Sequence, residues 1–169
     1  MTTTPVPAPT GPAPRPARRP HPEVTAMDAV SLKERADHLV RPAVVLDPAT
    51  TLRDVASALW AASAGIAVVG TATHPVGILS ERDLVMALAQ DADPDTTTAA
   101  EAMTPRVIAV RPDDRLLDVA YLMFDDVIRH VPVMDEYGEL AGVVSVRDLL
   151  RPLLADALGG TTPDEAGTR

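Results

Sequence analysis

The 169-residue chain contains no cysteine, and aromatic residues make up only 2% of it. The lack of cysteine excludes disulfides, thiolate nucleophiles and cysteine metal sites. No basic stripe with interleaved aromatic residues is present, so the usual pattern of a nucleic-acid surface is missing. The longest apolar runs fall far short of the roughly 20 residues needed to span a bilayer. We therefore expect a cytoplasmic protein without a membrane-spanning segment.

Positive charge is also scarce, since 15 Lys and Arg residues face 24 Asp and Glu residues, for a formal net charge of −9. Such a surface repels phosphate backbones, so nucleic acid is not expected as a partner. Residues 1–24 are rich in proline and lack apolar periodicity, which predicts a disordered tail. The arginines of this tail leave open a second interpretation, a short basic arm that touches an acidic partner.

One heptad occurs twice, as GILSERD over residues 77–83 and as GVVSVRD over residues 142–148. Upstream of it, LDPATTLRDVASALW (46–60) aligns with VRPDDRLLDVAYLMF (110–124) at an offset of 64 residues. A match of this length with a single one-residue gap indicates two copies of one unit. We assign the first unit to residues 40–92 and the second to residues 99–155. The flanking segments are a lead-in helix over residues 25–39 and a flexible C-terminal tail over residues 156–169.

Each unit has the pattern β-α-β-β-α, which gives an α/β (α+β) fold class. Short β-branched runs predict the strands, and apolar residues at helical spacing after a capping residue predict the helices. One such unit is too small to cover both faces of its sheet, so the two copies are expected to cover each other. The predicted strands are 43–46, 66–69, 76–79, 107–110, 131–134 and 141–144, and the predicted helices are 52–59, 81–90, 99–103, 116–123 and 146–158.

The S-x-x-D part of the heptad has two physical interpretations. In the first, Ser80 with Asp83 and Ser145 with Asp148 form capping boxes at the starts of helices. In the second, the same helix N-terminus binds a phosphate through its unpaired N–H groups and the positive end of its dipole. The two interpretations are compatible, because the residues can cap the empty protein and bind a ligand when one is present.

The spaced motifs R-H-V-P-V (129–133), D-E-Y-G-E-L (135–140) and S-x-R-D-L resemble the cystathionine β-synthase (CBS) domain. The tandem arrangement, over roughly residues 38–155, is similar to a stand-alone Bateman module. The resemblance implies two units packed by pseudo-twofold symmetry through their small sheets, with up to two ligand sites in the cleft. It also implies a homodimer and an adenosine-containing ligand such as AMP, ADP, ATP or adenosylmethionine, with no obligatory cofactor.

The resemblance places a ribose-binding aspartate at Asp83 and at Asp148. It also implies that strand 129–133 meets the adenine edge while Ile108 and Val131 wall the base. The second copy has the Arg-His pair and the proline of this strand, whereas the first does not, so the second motif is the closer match. The expected ligand-binding residues are Ser80, Arg82, Asp83, Ser145, Arg147, Asp148, Ile108, His130, Val131, Pro132, Ile66 and Val68.

No catalytic constellation is visible in the sequence. The heptad serines lack a histidine partner in a recognisable motif, and no two of the four histidines have ligand spacing, so neither a triad nor a metal site is expected. Trp60 and Phe124 occupy aligned positions and are expected in the core or on a dimer face. We therefore expect a non-catalytic sensor that signals to a regulated partner protein. The alternative is a ligand-free dimeric scaffold protein whose S-x-x-D motifs act only as helix caps.

Overall fold

The structure, a computed structural model, describes residues 35–157. The predictions for residues 1–24 and 158–169, and for most of the lead-in helix, lie outside the described residues. The described elements are β1 (Val44–Leu46), α1 (Leu52–Ala62), β2 (Ile66–Gly70), β3 (Pro75–Ser80), α2 (Glu81–Ala89), α3 (Ala99–Ala102), α4 (Leu116–Asp125), β4 (His130–Met134), β5 (Leu140–Ser145) and α5 (Val146–Ala157).

The first unit comprises β1 to α2 and has a three-stranded sheet in the order β1-β2-β3. β1 runs parallel to β2, and β2 runs antiparallel to β3. Helix α1 begins after Thr51, whose hydroxyl accepts from the N–H of Asp54, which satisfies one of the free donors of its first turn. The apolar face of α1 packs on every second residue of the strands. The buried residues of this core are Leu52, Val55, Leu59, Ala67, Val69, Leu79 and Ala99.

The second unit comprises α4 to α5 and has a two-stranded sheet, β4 with β5. The strand predicted at residues 107–110 is wrong, because only Val110 forms a bridge, to Val133. The N–H of Val110 donates to the carbonyl of Pro132 at 3.0 Å, and the N–H of Met134 donates to the carbonyl of Val110 at 2.8 Å. The next rung would need an N–H at residue 132, which proline lacks. The first unit has Val68 at the equivalent position, and its β1 is a full strand.

The segment that precedes the first unit packs on the second unit. Arg35 bridges Arg115, and Arg41 bridges Val143 with both backbone hydrogen bonds at 2.9 Å. Ala36 is fully buried in the core of the second unit. The end of the predicted lead-in helix that the structure describes, Ala36–Leu39, is a 3-10 turn. This end is helical but not α-helical, and the N–H groups of Ala36 and Asp37 donate to the carbonyls of Asp114 and Pro112 in the second unit.

The segment that precedes the second unit packs, in return, on the first unit. Thr98 bridges Thr51, Thr104 bridges Ile78, and Ala99 is fully buried in the core of the first unit. The exchange is the same in both directions, since the N–H of Ala36 donates to Asp114 and the N–H of Ala99 to the equivalent Thr50. This reciprocity is the pseudo-twofold symmetry expected of the two units, and the predicted fold class is confirmed.

The glycine that opens each heptad makes room for the exchanged segment. A Cβ at Gly142 would collide with the carbonyl oxygen of Arg41, and a Cβ at Gly77 would lie 2.9 Å from Cγ of Met103 and 3.0 Å from the carbonyl oxygen of Thr104. A close backbone approach of this kind is one of the uses of glycine in a strand. The heptad glycine therefore serves the packing of the two units.

Candidate functional site

The first heptad forms a complete capping box at the start of α2. Ser80 is the N-cap residue, and its hydroxyl accepts from the N–H of Asp83 at 3.3 Å. In return, Oδ2 of Asp83 accepts from the backbone N–H of Ser80 at 2.7 Å and from its hydroxyl at 2.6 Å. These bonds hold the carboxylate at the helix N-terminus with one oxygen engaged.

The second heptad repeats this geometry at the start of α5. Oδ2 of Asp148 accepts from the N–H and the hydroxyl of Ser145 at 3.1 and 2.5 Å. Here the other oxygen is also engaged, because Oδ1 accepts from Nε of Arg41 at 3.3 Å. Burial of the carboxyl raises the pKa of Asp148, but the hydrogen bonds from Ser145 and the charge of Arg41 together outweigh it, so the pKa is lowered. Thr104 lies at the position equivalent to Arg41, so the described residues supply no matching arginine contact to Asp83.

The Asp148 cavity has a volume of about 720 Å³, which lies in the range of small-molecule sites. Ser145, Arg147 and Asp148 of the second unit form one side. The other side is the segment 41–44, which enters β1, and the loop 62–66, which connects α1 to β2. This cavity therefore draws on both units.

The Asp83 cavity is smaller, at about 230 Å³, and the two units exchange their roles in lining it. Ser80, Arg82 and Asp83 come from the first unit, whereas Ile108 and Pro132 come from the second. Each aspartate thus faces the segment through which the chain enters the other unit. The Arg-His-Val-Pro-Val strand lies across from Asp83 in this cavity, and sequence reasoning left that pairing open.

Four residues line both cavities: Gly65, Ile66, Arg129 and His130. Gly65 and Arg129 are equivalent in the two units, as are Ile66 and His130. The shared wall is therefore built from the same two positions of each unit. His130 is half-buried, and burial together with the charge of Arg129 lowers the pKa of its imidazole. Glu81 and Asp148 oppose that effect, and Arg147 adds to it.

Two of the expected ligand-binding residues line neither described cavity. Val131 is fully buried and belongs to the core of the second unit, because strand alternation turns it away from the side of His130 and Pro132. Val131 therefore does not line the cavity, contrary to the expectation. Val68 is also fully buried. The structure places the other ten in the two cavities: Ser80, Arg82, Asp83, Ile66, Ile108, His130, Pro132, Ser145, Arg147 and Asp148.

Three arginines line the cavities without having been among the expected residues. Arg41 lines the Asp148 cavity, Arg106 lines the Asp83 cavity, and Arg129 lines both. Arg41 and Arg106 are each next to a proline just before the first strand segment of a unit. An arginine beside the proline that enters each unit is the signal in the sequence from which they could have been found.

The described part of the chain holds no group of three or more His, Asp or Glu side chains arranged to bind a metal ion. Over the same residues, none of the helices has both the length and the apolar character needed to cross a bilayer. Trp60 and Phe124 are 88% and 80% exposed. They therefore do not belong to the core, which was one of the two places expected for them.

Two stretches of the chain, residues 36–90 and residues 99–155, match the family model of the CBS domain. The chain belongs to the CBS domain family. The two CBS matches coincide with the two repeats and include the segments that they exchange. The resemblance seen in the repeated motifs is thereby confirmed, and the chain carries a tandem pair.

A CBS domain protein from Pyrobaculum aerophilum, solved in complex with AMP, is 36% identical and superposes with a TM-score of 0.67, covering 75% of this chain and 100% of that one. The solved cytosolic domain of the Mg²⁺ channel MgtE in complex with ATP is 35% identical, with a TM-score of 0.59 and coverages of 70% and 48%. An uncharacterized protein of Methanopyrus kandleri is 36% identical over 87 residues, which are 51% of this chain and 44% of that protein. The matched region is thus less than half of that relative.

Proposed function

We propose that this CBS pair is a non-catalytic regulatory module that binds an adenosine-containing ligand such as AMP, ADP or ATP in its cleft. The observation that carries the proposal is the composition of the two cavities. Each brings together an aspartate held at a helix N-terminus, apolar side chains of the facing unit, and three arginines. A ribose, a base and a phosphate require those three kinds of partner.

The electrostatics of the cavities favour an anionic ligand. The chain as a whole has a net charge of −9, yet Arg41, Arg129 and Arg147 line one cavity and Arg82, Arg106 and Arg129 line the other. Guanidinium groups are well suited to phosphate because they present several N–H donors in one plane. A local concentration of arginines in an acidic chain therefore supports phosphate binding at the cleft.

In this proposal, Asp83 and Asp148 accept hydrogen bonds from the ribose hydroxyls. Oδ2 of each is occupied by the serine of its capping box, so Oδ1 is the acceptor that a ligand would meet. At Asp148 a ligand has to displace or share the contact from Arg41. The ligands named for two similar structures, AMP and ATP, support this class of ligand.

A second candidate function is a ligand-free interaction or scaffold protein. It is favoured by the completeness of both capping boxes, which satisfy the helix N-termini without a ligand. The contact between Arg41 and Asp148 likewise neutralises that carboxylate without a ligand. Under this alternative the two aspartates stabilise helices only, and no nucleotide changes the stability of the protein.

We further propose that the protein acts in the cytoplasm as a homodimer and passes the occupancy of the cleft to a regulated partner. Trp60 on α1 and Phe124 on α4 support a dimer face, because they are highly exposed at equivalent positions of the two units. Large exposed aromatic residues of this kind are enriched in protein interfaces. A ligand would act by binding one of two arrangements of the module more tightly than the other.

The test is a thermal-shift titration of the full chain with AMP, ADP, ATP and adenosylmethionine, repeated on Asp83→Ala and Asp148→Ala. A ligand at 100 times its dissociation constant stabilises the folded state by about 2.7 kcal/mol, which is a measurable change in Tm. We expect a shift in the wild type that decreases when the aspartate of an occupied cavity is removed.

Glu101→Ala is the matched control for the loss of a helix cap. Glu101 forms the same type of capping box with Thr98, and it does not line either cavity. This variant should lose some stability but keep the full ligand-induced shift. A folded wild type that shows no shift with any of the four ligands would contradict the sensor proposal and favour the scaffold alternative.

A further inference from the structure

The wall shared by the two cavities is asymmetric. At equivalent positions, the first unit contributes Gly65 and Ile66, and the second contributes Arg129 and His130. The wall is tied to the starts of both ligand-facing helices, since Glu81 donates its N–H to the carbonyl of Gly65 at 3.1 Å and Val146 does so to that of Arg129 at 2.8 Å.

The asymmetry has a steric cause. A Cβ at Gly65 would lie 2.6 Å from Nε2 of His130 and 3.3 Å from Nδ1. The imidazole therefore occupies the space that a side chain at position 65 would need. The Arg-His pair of the second unit therefore packs against a glycine of the first, and the wall carries one arginine instead of two.

Arg129 is consequently the one arginine common to both cavities. The other arginines are divided, with Arg41 and Arg147 lining the Asp148 cavity and Arg82 and Arg106 lining the Asp83 cavity. Arg129 is exposed, and its long side chain can turn toward either side. One guanidinium cannot give its full set of donors to two phosphates in separate cavities at once.

Given the proposed function, on which this inference rests, we propose that two phosphate-bearing ligands compete for Arg129, so that filling one cavity weakens binding in the other. The first ligand draws the guanidinium to its own phosphate. The second ligand then binds with one cation fewer and beside an added negative charge. The coupling acts in both directions, because the effect of one site on the other is thermodynamically reciprocal.

The test is calorimetric titration of the full-length protein with AMP. Asp148→Ala and Asp83→Ala report the affinity of each remaining cavity alone. We expect the second AMP to bind to the wild type at least about fivefold more weakly than the weaker of these two single-site affinities, which is the lower end of typical coupling between sites. Adenosine, which has no phosphate, should fill the two cavities without this penalty.

Arg129→Gln identifies the residue responsible. In this variant each cavity should bind AMP more weakly, and the two should fill independently of each other. Arg106→Gln is the matched control, because it removes an arginine that lines only the Asp83 cavity. It should weaken that cavity while the coupling factor stays unchanged.

The outcomes separate this inference from the proposed function. The coupling is overturned if AMP does not bind the folded wild type, or if only one of the two aspartate variants binds it. If no adenosine compound binds at all, the proposed function is overturned as well. If the wild-type titration equals the sum of the two single-site titrations, the coupling is overturned while the ligand sensor stands. Coupling that persists in Arg129→Gln, or that adenosine shows equally, overturns the role of Arg129.

Discussion

The imidazole of His130 lies against Gly65 so closely that it takes the place of a side chain at that position, with Nε2 2.6 Å from where a Cβ would be. The two residues belong to different units and meet on the wall between the two cavities. The contact is complementary, since the absence of a side chain on one unit accommodates the ring of the other. It makes the first and second units non-interchangeable at this point of the cleft.

Gly65→Ala should destabilise the protein by about 1–3 kcal/mol, the usual range for adding a methyl group where packing is already complete. His130→Ala in the same chain should recover much of that loss, because it removes the ring that the methyl group meets. Urea denaturation of the wild type, both single variants and the double variant measures the interaction as a double-mutant cycle. Additive effects of the two substitutions would show that the ring moves away freely.

Gly142→Ala should be among the most destabilising single substitutions in the chain. Gly142 has a φ of +153° and its Cβ would collide with the carbonyl oxygen of Arg41, which is backbone and cannot turn aside. We expect a cost of about 2–4 kcal/mol, from backbone strain and overpacking together. Gly138→Ala is the matched control, because Gly138 also has a positive φ, +82°, but no atom within 4 Å of its Cβ position. Equal losses for the two variants would show that the approach of Arg41 contributes nothing.

Pro132→Val should extend the single bridge at Val110 back toward Ile108 and so form a strand. The substitution supplies an N–H at residue 132 that can donate to the carbonyl of Ile108 in a parallel ladder. Val68 has such an N–H at the equivalent position of the first unit. The gain of one hydrogen bond and the loss of the rigidity of proline in the unfolded chain oppose each other, so the net change in stability should be within about 1 kcal/mol. Amide hydrogen exchange measures the new N–H at residue 132 directly. Exchange there as fast as in a loop would contradict the explanation by proline.

Acidification should destabilise the protein partly through His130. Its pKa is lowered by burial and by Arg129 from an ordinary value of 6.5, so the unfolded chain binds the proton more tightly. Stability therefore falls as the pH decreases through about 6.5 toward the folded-state pKa, and it recovers as the pH rises. His130→Gln should lose less stability between about pH 7.5 and 5.5 than the wild type does. His74→Gln, in an exposed turn, is the control, and an unchanged pH dependence in His130→Gln would be the contrary result.

Much of this architecture could be predicted from the sequence because it depends on local patterns. The repeated heptad, the short β-branched or apolar runs of β2 to β5 and the capping serines Ser80 and Ser145 each depend on neighbouring residues, and these elements are found where they were expected. The two cavities were expected to combine both units. Which aspartate faces which strand, however, depends on the packing of the units and has no local signal.

The errors came from partners that are distant in sequence. Residues 107–110 have the composition of a strand, but their ladder is stopped by Pro132 on the neighbouring strand. Ala36 precedes a predicted helix end, yet it is buried in the core of the unit that begins some 60 residues later. Val131 was assigned to the cavity from its motif, although strand alternation alone would have placed it in the core.

The exchange of residues 35–41 and 98–104 determines which fragments of this chain contain a complete core. A fragment divided at the repeat boundary would lack the segment that closes its own core and would retain the one that its sister needs. Neither half is therefore complete, although each contains every strand and helix of its repeat. Because each core is closed by a segment of the other repeat, we expect the pair, and not the single repeat, to be the smallest unit that unfolds cooperatively.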